Sequence, residues 1–172
     1  FFKVVYRRHT NFSMESIKQT LNGSVGFGNS VSATISRNGD LVSRMYLEFT
    51  VTNLEAGDNI CDNPGSALIN NIVLEIGGQQ IDKHYGHWME VWSQLTEPNP
   101  SGIVSDVSNT PAATSLVTGT KFQNMSGMGG VTGRDGIGAG SLSLTVPLMF
   151  WFNRNPGLAL PLIALQYHEV KV

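Results

Sequence analysis

The amino-acid sequence predicts an all-β fold: an antiparallel sandwich of seven or eight strands with one short helix, most consistent with a jelly roll. Apolar and polar residues alternate in several short segments, which is the period of half-buried strands. Only one segment has helical spacing. A long polar stretch, residues 97–140, favours a jelly roll over a lipocalin-type barrel, because short regular hairpins join the strands of such barrels.

The composition limits both the size and the function of this domain. Its 172 residues correspond to one domain, or to one domain and a fragment. With 11 basic and 13 acidic residues, the net charge of −2 excludes a strongly basic nucleic-acid binder. Charged residues make up only 14% of the chain, which lowers the desolvation cost of contacts with other subunits. A single cysteine, Cys61, excludes an internal disulfide framework.

The two ends of the chain indicate a piece of a longer polypeptide. The sequence begins at Phe1 without a leader pattern and stops after a strand-like segment at Val172. We therefore expect residues 1–172 to form a single jelly-roll domain that belongs to a longer chain. No membrane span is predicted, since the best candidate, residues 136–153, is interrupted by glycines, serines and Pro147.

Alternation predicts strands in the first half of the chain. Residues 24–37 and 45–52 each place apolar side chains on one face and polar ones on the other. Asn38-Gly39 between them predicts a tight hairpin, because both residues tolerate positive φ. Residues 72–76, followed by Gly77-Gly78 and a return strand over residues 79–84, predict a second hairpin.

One amphipathic helix follows these strands. Trp88, Val91, Trp92 and Leu95 have the spacing i, i+3, i+4, i+7 and predict a helix of about ten residues packed on a sheet. Pro98 and Pro100 end it.

The remaining third of the chain predicts loops and late strands. We expect residues 97–140 to be a long variable loop region, part extended strand and part surface excursion. Residues 142–146 alternate, and residues 148–152 are apolar on both faces, which predicts a buried strand near a contact. Residues 160–172 predict a closing strand that begins near Pro161.

Three histidine and carboxylate residues raise the alternative of a cupin-like metal enzyme. His84, His87 and Glu90 form an H-x-x-H-x-x-E string. A strand needs His-x-His to aim both rings the same way, so the three-residue spacing argues against a metal site. We expect a surface or capping role for these residues, and no cofactor.

Other reactive patterns have ordinary explanations. Cys61 has no predicted base or orienting group nearby, and no nucleophile elbow is present, so no enzyme activity is predicted. Asp58, Asp62 and Asn63 supply oxygen ligands but lack the regular calcium-loop spacing, so a polar turn is favoured. The glycines of residues 23–28 and 127–140 fail the context of nucleotide-binding loops and predict turns or bulges.

Three further patterns concern the surface. The basic cluster Arg7-Arg8-His9, with Lys3 nearby, is too small for affinity built on counterion release and favours a solvated or partner-facing segment. Glycosylation sequons start at Asn11, Asn22 and Asn124, and the sequence leaves open whether sugars are attached. A carbohydrate-binding jelly-roll module is an alternative function, because Trp88, Trp92 and Trp151 could stack on sugars.

Four strings carry a family resemblance: FFKVVYRRHTNFSMESI, LVSRMYLEFTV, INNIVLEIGGQQIDKHYGHWMEVWSQLT and PLMFWFNRNPGLALPLIALQYHEV. Together they cover more than a third of the chain, and they resemble the major capsid protein of nucleocytoplasmic large DNA viruses. The resemblance implies a double jelly roll of two eight-stranded sandwiches, of which this chain supplies the first. The sequence begins at FFKVVYRRH, so we expect the short segment that precedes this string in such proteins to lie outside residues 1–172.

The same resemblance implies a structural role. It implies homotrimers that form pseudo-hexagonal capsomers in the outer capsid shell of the virion. It further implies contacts with neighbouring capsomers and minor capsid proteins, closeness to an inner viral membrane, and no direct nucleic acid. We take Phe150, Trp151, Phe152 and Arg154 as subunit-interface candidates, because this apolar run ends at an Arg suited to interfacial ion pairs. The alternative for Arg154 is that it only caps the adjoining turn.

Overall fold

The computed structural model describes residues 10–55, 60–98, 120–131 and 140–172. These residues contain seven strands: β1 (Leu41–Val42), β2 (Tyr46–Leu54), β3 (Asn71–Ile76), β4 (Gln79–Tyr85), β5 (Gly140–Pro147), β6 (Leu160–Pro161) and β7 (Val170–Lys171). They also contain four α-helices: α1 (Pro64–Ala67), α2 (Gly86–Thr96), α3 (Lys121–Ser126) and α4 (Trp151–Arg154). The strands form three antiparallel sheets in the orders β1-β6, β2-β5 and β4-β3-β7. The antiparallel β architecture is confirmed, and the prediction of a single helix is wrong.

The ladder between β2 and β5 follows the predicted alternation. Tyr46 pairs with Pro147 at one end, and side chains along β2 alternate between exposed and half-buried. On β5 the inward side chains Leu144 and Val146 are buried. The strand predicted over residues 45–52 is therefore confirmed.

The hairpin of β3 and β4 also matches its prediction. Gly77 and Gly78 form the turn with φ of 61° and 79°, a left-handed conformation that a side chain would disfavour. On its other edge β3 pairs with β7, where Ile76 lies opposite Val170.

The strand predicted over residues 24–37 is largely wrong. Val25 and Phe27 are 74% and 80% exposed, so the alternation there does not mark a buried face. The later residues Ala33 and Ile35 are buried, and their N–H groups donate to carbonyls of the C-terminal segment at 2.7 and 2.9 Å.

The tight hairpin predicted at Asn38-Gly39 is also wrong. Neither residue has a positive φ, so the turn geometry that would pair the flanking segments does not form. Instead β1 pairs with β6, where Leu41 lies opposite Pro161. A distant strand therefore replaces the local partner.

The chain after β5 leaves the sheet earlier than predicted. The strand expected over residues 148–152 is wrong, because Phe150 caps α4 and the chain turns helical at Trp151. Its apolar character reflects a passage through the core, where Leu148, Met149 and Phe150 are buried. The closing strand expected over residues 160–172 is reduced to β6 and β7, with turns between them.

The predicted helix is confirmed as α2, but its buried face differs from the predicted one. Met89 and Ser93 are fully buried, whereas Val91 is 47% and Leu95 76% exposed. The predicted apolar face is thus only half covered, and the start of α2 at Gly86 lies against the backbone carbonyls of Ser66 and Ile69.

Helix α3 lies inside the region expected to be a long loop. Thr120 and Gln123 form a reciprocal capping box, in which the Gln123 N–H donates to Thr120 Oγ1 (3.1 Å) and the Thr120 N–H donates to Gln123 Oε1 (2.9 Å). Residues 126–129 and Val131 are buried. The expectation of strand and surface excursion is therefore wrong for residues 120–131, while residues 99–119 and 132–139 lie outside the described residues.

Two hydrophobic clusters form the core. One surrounds the α4 region and contains these buried residues: Ile35, Leu74, Leu148, Phe150, Phe152, Leu160, Leu162 and Val170. The other lies between α2, α3 and β5 and contains these: Met89, Met128, Leu144, Val146 and Met149. None of the described helices is both long enough and apolar enough to span a bilayer.

Candidate assembly interface

The four interface candidates divide into buried and exposed residues. Phe150 and Phe152 are 0% exposed, and their rings stack on each other at 5.7 Å between centroids. Trp151 is half-buried and meets Phe152 edge-on, and Arg154 is exposed. The two phenylalanines therefore belong to this chain's own core, whereas Trp151 and Arg154 have surface left for contact with another subunit. The interface role of these residues stays a prediction.

Arg154 joins α4 to α2. Its guanidinium lies 4.4 Å from the ring centroid of Trp92 and 5.1 Å from that of Trp88. The Nε–H group also donates to the Met149 carbonyl at 3.3 Å. Cation–π contacts at exposed sites contribute about 0.5–1 kcal/mol each. Arg154 is therefore held in one orientation across the α2–α4 junction rather than capping the adjoining turn alone.

The tryptophans do not form an open platform for sugars. Trp88 and Trp92 stack on each other at 5.5 Å with an interplanar angle of 14°, and Arg154 covers both. Trp151 packs against Phe152 at an interplanar angle of 87°. These ring contacts argue against the carbohydrate-binding alternative.

The metal candidates do not converge. His84 is buried, which corrects the expectation of a surface or capping role, while His87 is exposed. The Glu90 carboxylate is occupied by hydrogen bonds from the protein itself. Among the described residues, no three or more His, Cys, Asp or Glu side chains are grouped closely enough to hold a metal ion.

Glu90 fastens the segment after α3 onto α2. Its carboxylate accepts the N–H of Gly129 at 3.0 and 3.2 Å and the N–H of Gly130 at 3.0 Å. Gln94 Nε2 also donates to it at 3.0 Å. Asn63 Oδ1 accepts from the N–H groups of Gly130 (3.1 Å) and Val131 (2.7 Å). This clasp of Glu90 and Asn63 fixes a glycine-rich segment that the composition alone marks as a linker.

Replacing Glu90 with glutamine is expected to destabilise the protein by about 1–3 kcal/mol, because two backbone donors lose a charged acceptor. Urea unfolding measures the loss, and amide hydrogen exchange at Gly129 and Gly130 is expected to accelerate. The control is Glu48→Gln, since Glu48 is exposed on β2. Equal stability and exchange in both variants would contradict the clasp.

Sequence patterns do not predict the clasp, although the helix that precedes its glycine segment has a recognisable N-terminal signal. Thr120 and Gln123 have the T-x-x-Q spacing of a capping box, which marks the start of a helix. Gly127, with φ of 63°, ends that helix in the left-handed conformation typical of a C-cap. Nothing in the spacing indicates that Glu90 would meet residues 129–130, because that contact depends on the tertiary fold.

The remaining residues that the sequence suggested as sites can now be located in the fold. Asn63, proposed in the polar turn, is part of the clasp, whereas Asp58 lies outside the described residues. Cys61 is an exposed free cysteine. The basic cluster, residues 7–9, also lies outside the described residues.

The three sequon asparagines are all exposed: Asn11, Asn22 and Asn124. The third sequon lies in α3, and its Ser126 is buried with the hydroxyl donating to the Phe122 carbonyl at 2.7 Å. Attachment at that sequon would require its recognition serine to leave the core.

Comparison with known proteins decides the family. A family profile described as "Major capsid protein N-terminus" matches residues 1–172. This chain belongs to the major capsid protein family. A major capsid protein of Pyramimonas orientalis virus is 49% identical over the whole of this chain, and that of Paramecium bursaria Chlorella virus 1 is 46% identical. The chain spans 40% and 34% of the lengths of these two relatives.

Solved structures agree with this assignment. The capsid chain matches the crystal structure of VP54 of PBCV-1, fitted into a cryo-EM reconstruction of the virophage Sputnik, with a TM-score of 0.70 and 44% identity. It also matches a quasi-atomic model of the PBCV-1 virus capsid with a TM-score of 0.68. Each match covers 99% of this chain and 36% of the other. Family membership places the chain in the capsid shell of the virion.

Proposed function

We propose that this chain is the first jelly-roll sandwich of a structural major capsid protein with two eight-stranded jelly rolls. Three copies of the whole protein form a pseudo-hexagonal capsomer in a large icosahedral DNA virus. The observation that carries the proposal is the match of the family over all of residues 1–172, together with 49% identity to a named major capsid protein. The protein works as a building block and performs no catalysis.

The packing of the chain's own core supports a role as a rigid structural element. Leu148 belongs to one buried cluster and its neighbour Met149 to the other, and Ile72 on β3 packs against both, so the two clusters are joined. Close-packed interiors transmit strain rather than absorb it. A shell element needs this stiffness, because its edges must keep their shape while they bury against other subunits.

The surface supports extensive contacts. Large apolar side chains that are at least 70% exposed are these: Phe12, Met14, Val25, Phe27, Leu95, Ile163 and Tyr167. Exposed apolar surface in patches marks interaction sites. We assign these side chains to contacts with neighbouring capsomers and minor capsid proteins. The inner face of the shell lies close to a viral membrane, and no contact with nucleic acid is part of the proposal.

Sedimentation of the intact capsid protein tests the proposal. The whole polypeptide is expected to sediment as a trimer at micromolar concentration, and its particles are expected to have pseudo-hexagonal outlines in electron micrographs. A stable monomer at that concentration would overturn the capsomer assignment.

Arg154→Ala is expected to weaken the trimer by roughly tenfold in dissociation constant, the effect of an interface residue worth about 1.4 kcal/mol. The folded subunit should lose no more than about 1–2 kcal/mol from the two cation–π contacts. Analytical ultracentrifugation measures the first effect and urea unfolding the second.

The matched control for Arg154 is Arg44→Ala, because Arg44 is also exposed but lies outside the α2–α4 junction. If Arg154→Ala leaves assembly as tight as the control does, Arg154 is not an interface residue.

A further inference from the structure

His84 occupies an unusual position in the capsid chain. It is 5% exposed, and its Nε2 atom is buried without a hydrogen-bond partner. Its ring lies edge-on to Phe150 at 4.6 Å and tilted against Trp88 at 5.6 Å. A buried polar atom without a partner is costly in a folded protein. The site tolerates a neutral imidazole but offers Nε2 no acceptor for a second proton.

The surrounding charges do not compensate for protonation. Burial lowers the pKa of His84, Asp82 on the same strand opposes this effect, and Arg154 on α4 lowers the pKa further. From α2 the facing group is the uncharged Trp88, and the segment before α4 presents Phe150. The Glu90 carboxylate of α2 is engaged by the N–H groups of Gly129 and Gly130.

The lowered pKa of His84 determines the direction in which pH changes the stability of the folded chain. In the unfolded chain a histidine titrates near 6.5, and in the folded chain His84 takes up its proton only at lower pH. Between those two values the unfolded state binds more protons, so stability is present above about pH 6.5 and falls as the pH drops. The folding equilibrium therefore shifts toward the unfolded state as the pH falls through this interval.

We propose that His84 is an acid-sensitive element of the capsid shell, whose protonation loosens the junction between α2 and α4. Trp88 transmits the effect, because it contacts His84 and also stacks on Trp92 under the Arg154 guanidinium. A protonated His84 imidazole moves toward water and displaces the Trp88 ring. The cation–π contact between Arg154 and Trp88 is then lost. The inference rests on the proposed capsid function for its consequence, that acid weakens the assembled shell at this junction.

Histidine-specific hydrogen exchange at the imidazole C2 position, read by mass spectrometry, tests the titration of His84 directly in the intact protein. A peptide cut after Tyr85, which carries His84 without His87, is expected to titrate below the value of about 6.5 found for histidine in unstructured chains. A midpoint at or above that value would overturn the proposal. This measurement requires no variant and does not depend on assembly.

Acid melting of variants tests the consequence. Wild-type capsomers are expected to melt at progressively lower temperature as the pH falls below about 6.5. His84→Leu replaces the titrating imidazole with an apolar side chain of similar size. The melting temperature of this variant should therefore change less with pH than that of the wild type. His87→Gln is the matched control, because His87 is exposed on the first turn of α2, and it should keep the wild-type slope. Equal slopes for wild type and His84→Leu would overturn the proposal.

The two proposals fail in different ways. If the intact protein never forms trimers at neutral pH, the capsomer assignment fails, while C2 exchange still reports on His84. If trimers form at neutral pH but respond to acid identically with and without His84, the acid-sensitive element fails and the capsomer assignment stands.

Discussion

Replacing Gly65 with alanine is expected to destabilise the capsid chain by about 3 kcal/mol or more and to reduce the yield of soluble protein sharply. Gly65 is buried in α1, and a Cβ atom there would overlap the Ser126 carbonyl oxygen at the end of α3. The Gly65 N–H also donates to the Gly127 carbonyl at 3.1 Å, so the two backbones cannot simply separate. Overpacking against backbone costs more than the 1–3 kcal/mol typical of side-chain crowding, because no rotamer change relieves it.

Soluble yield and thermal unfolding of the intact protein measure this effect, with Gly39→Ala as the matched control. Gly39 has open space around its Cβ position and no positive φ, so alanine should be nearly neutral there. Gly86→Ala should behave like Gly65→Ala, since its Cβ would overlap the carbonyl oxygens of Ser66 and Ile69. Wild-type stability in Gly65→Ala would show that the approach of α1 to α3 is looser than described.

Phe150→Ala is expected to cost about 3–5 kcal/mol, the usual loss for truncating a fully buried aromatic ring. Phe150 is 0% exposed, stacks on Phe152 and packs edge-on against His84. Its removal leaves a cavity beside Leu148 and Met149, which belong to different hydrophobic clusters. The α2–α4 junction should therefore loosen together with the core.

Urea unfolding measures the loss, and the matched control is Phe27→Ala. Phe27 is 80% exposed, so removing the same atoms there should change the free energy of unfolding by less than about 0.5 kcal/mol. Similar losses in the two variants would mean that Phe150 does not organise the core. Phe150→Leu, which keeps most of the apolar volume, should fall between wild type and alanine.

Local patterns predicted the elements whose partners are close in sequence. The β3–β4 hairpin was predictable because Gly77-Gly78 supplies the left-handed turn between two adjacent strands. The helix α2 was predictable from its spacing, and β2 from its alternation. The family was also recognisable from the sequence, since long strings of residues carry more information than composition.

Local sequence patterns gave wrong predictions where residues are buried by, or paired with, distant parts of the chain. Residues 148–152 are apolar on every side, which a strand and a core-crossing turn satisfy equally. Asn38-Gly39 has hairpin chemistry, yet β1 finds its partner in β6, more than a hundred residues away. Val91 and Leu95 have the helical spacing of a buried face, yet both are exposed because no described element covers that side of α2.

In the candidate interface, too, the sequence identified a residue but not its tertiary contacts. Arg154 was selected from the sequence, but its place over Trp88 and Trp92 depends on α4 folding back onto α2. The burial of His84 and the occupation of Glu90 by Gly129 and Gly130 were not predictable from spacing. Each depends on groups that are far apart along the chain.

The sequence by itself determined the family, the antiparallel β character and the short-range elements, because turn chemistry and side-chain period act within a few residues. Only the tertiary structure decided which histidine is buried, which carboxylate holds the glycine-rich segment and which side of α2 faces the core. The physical reason is that desolvation and hydrogen-bond satisfaction depend on every atom within contact distance, and most of those atoms come from other parts of the chain.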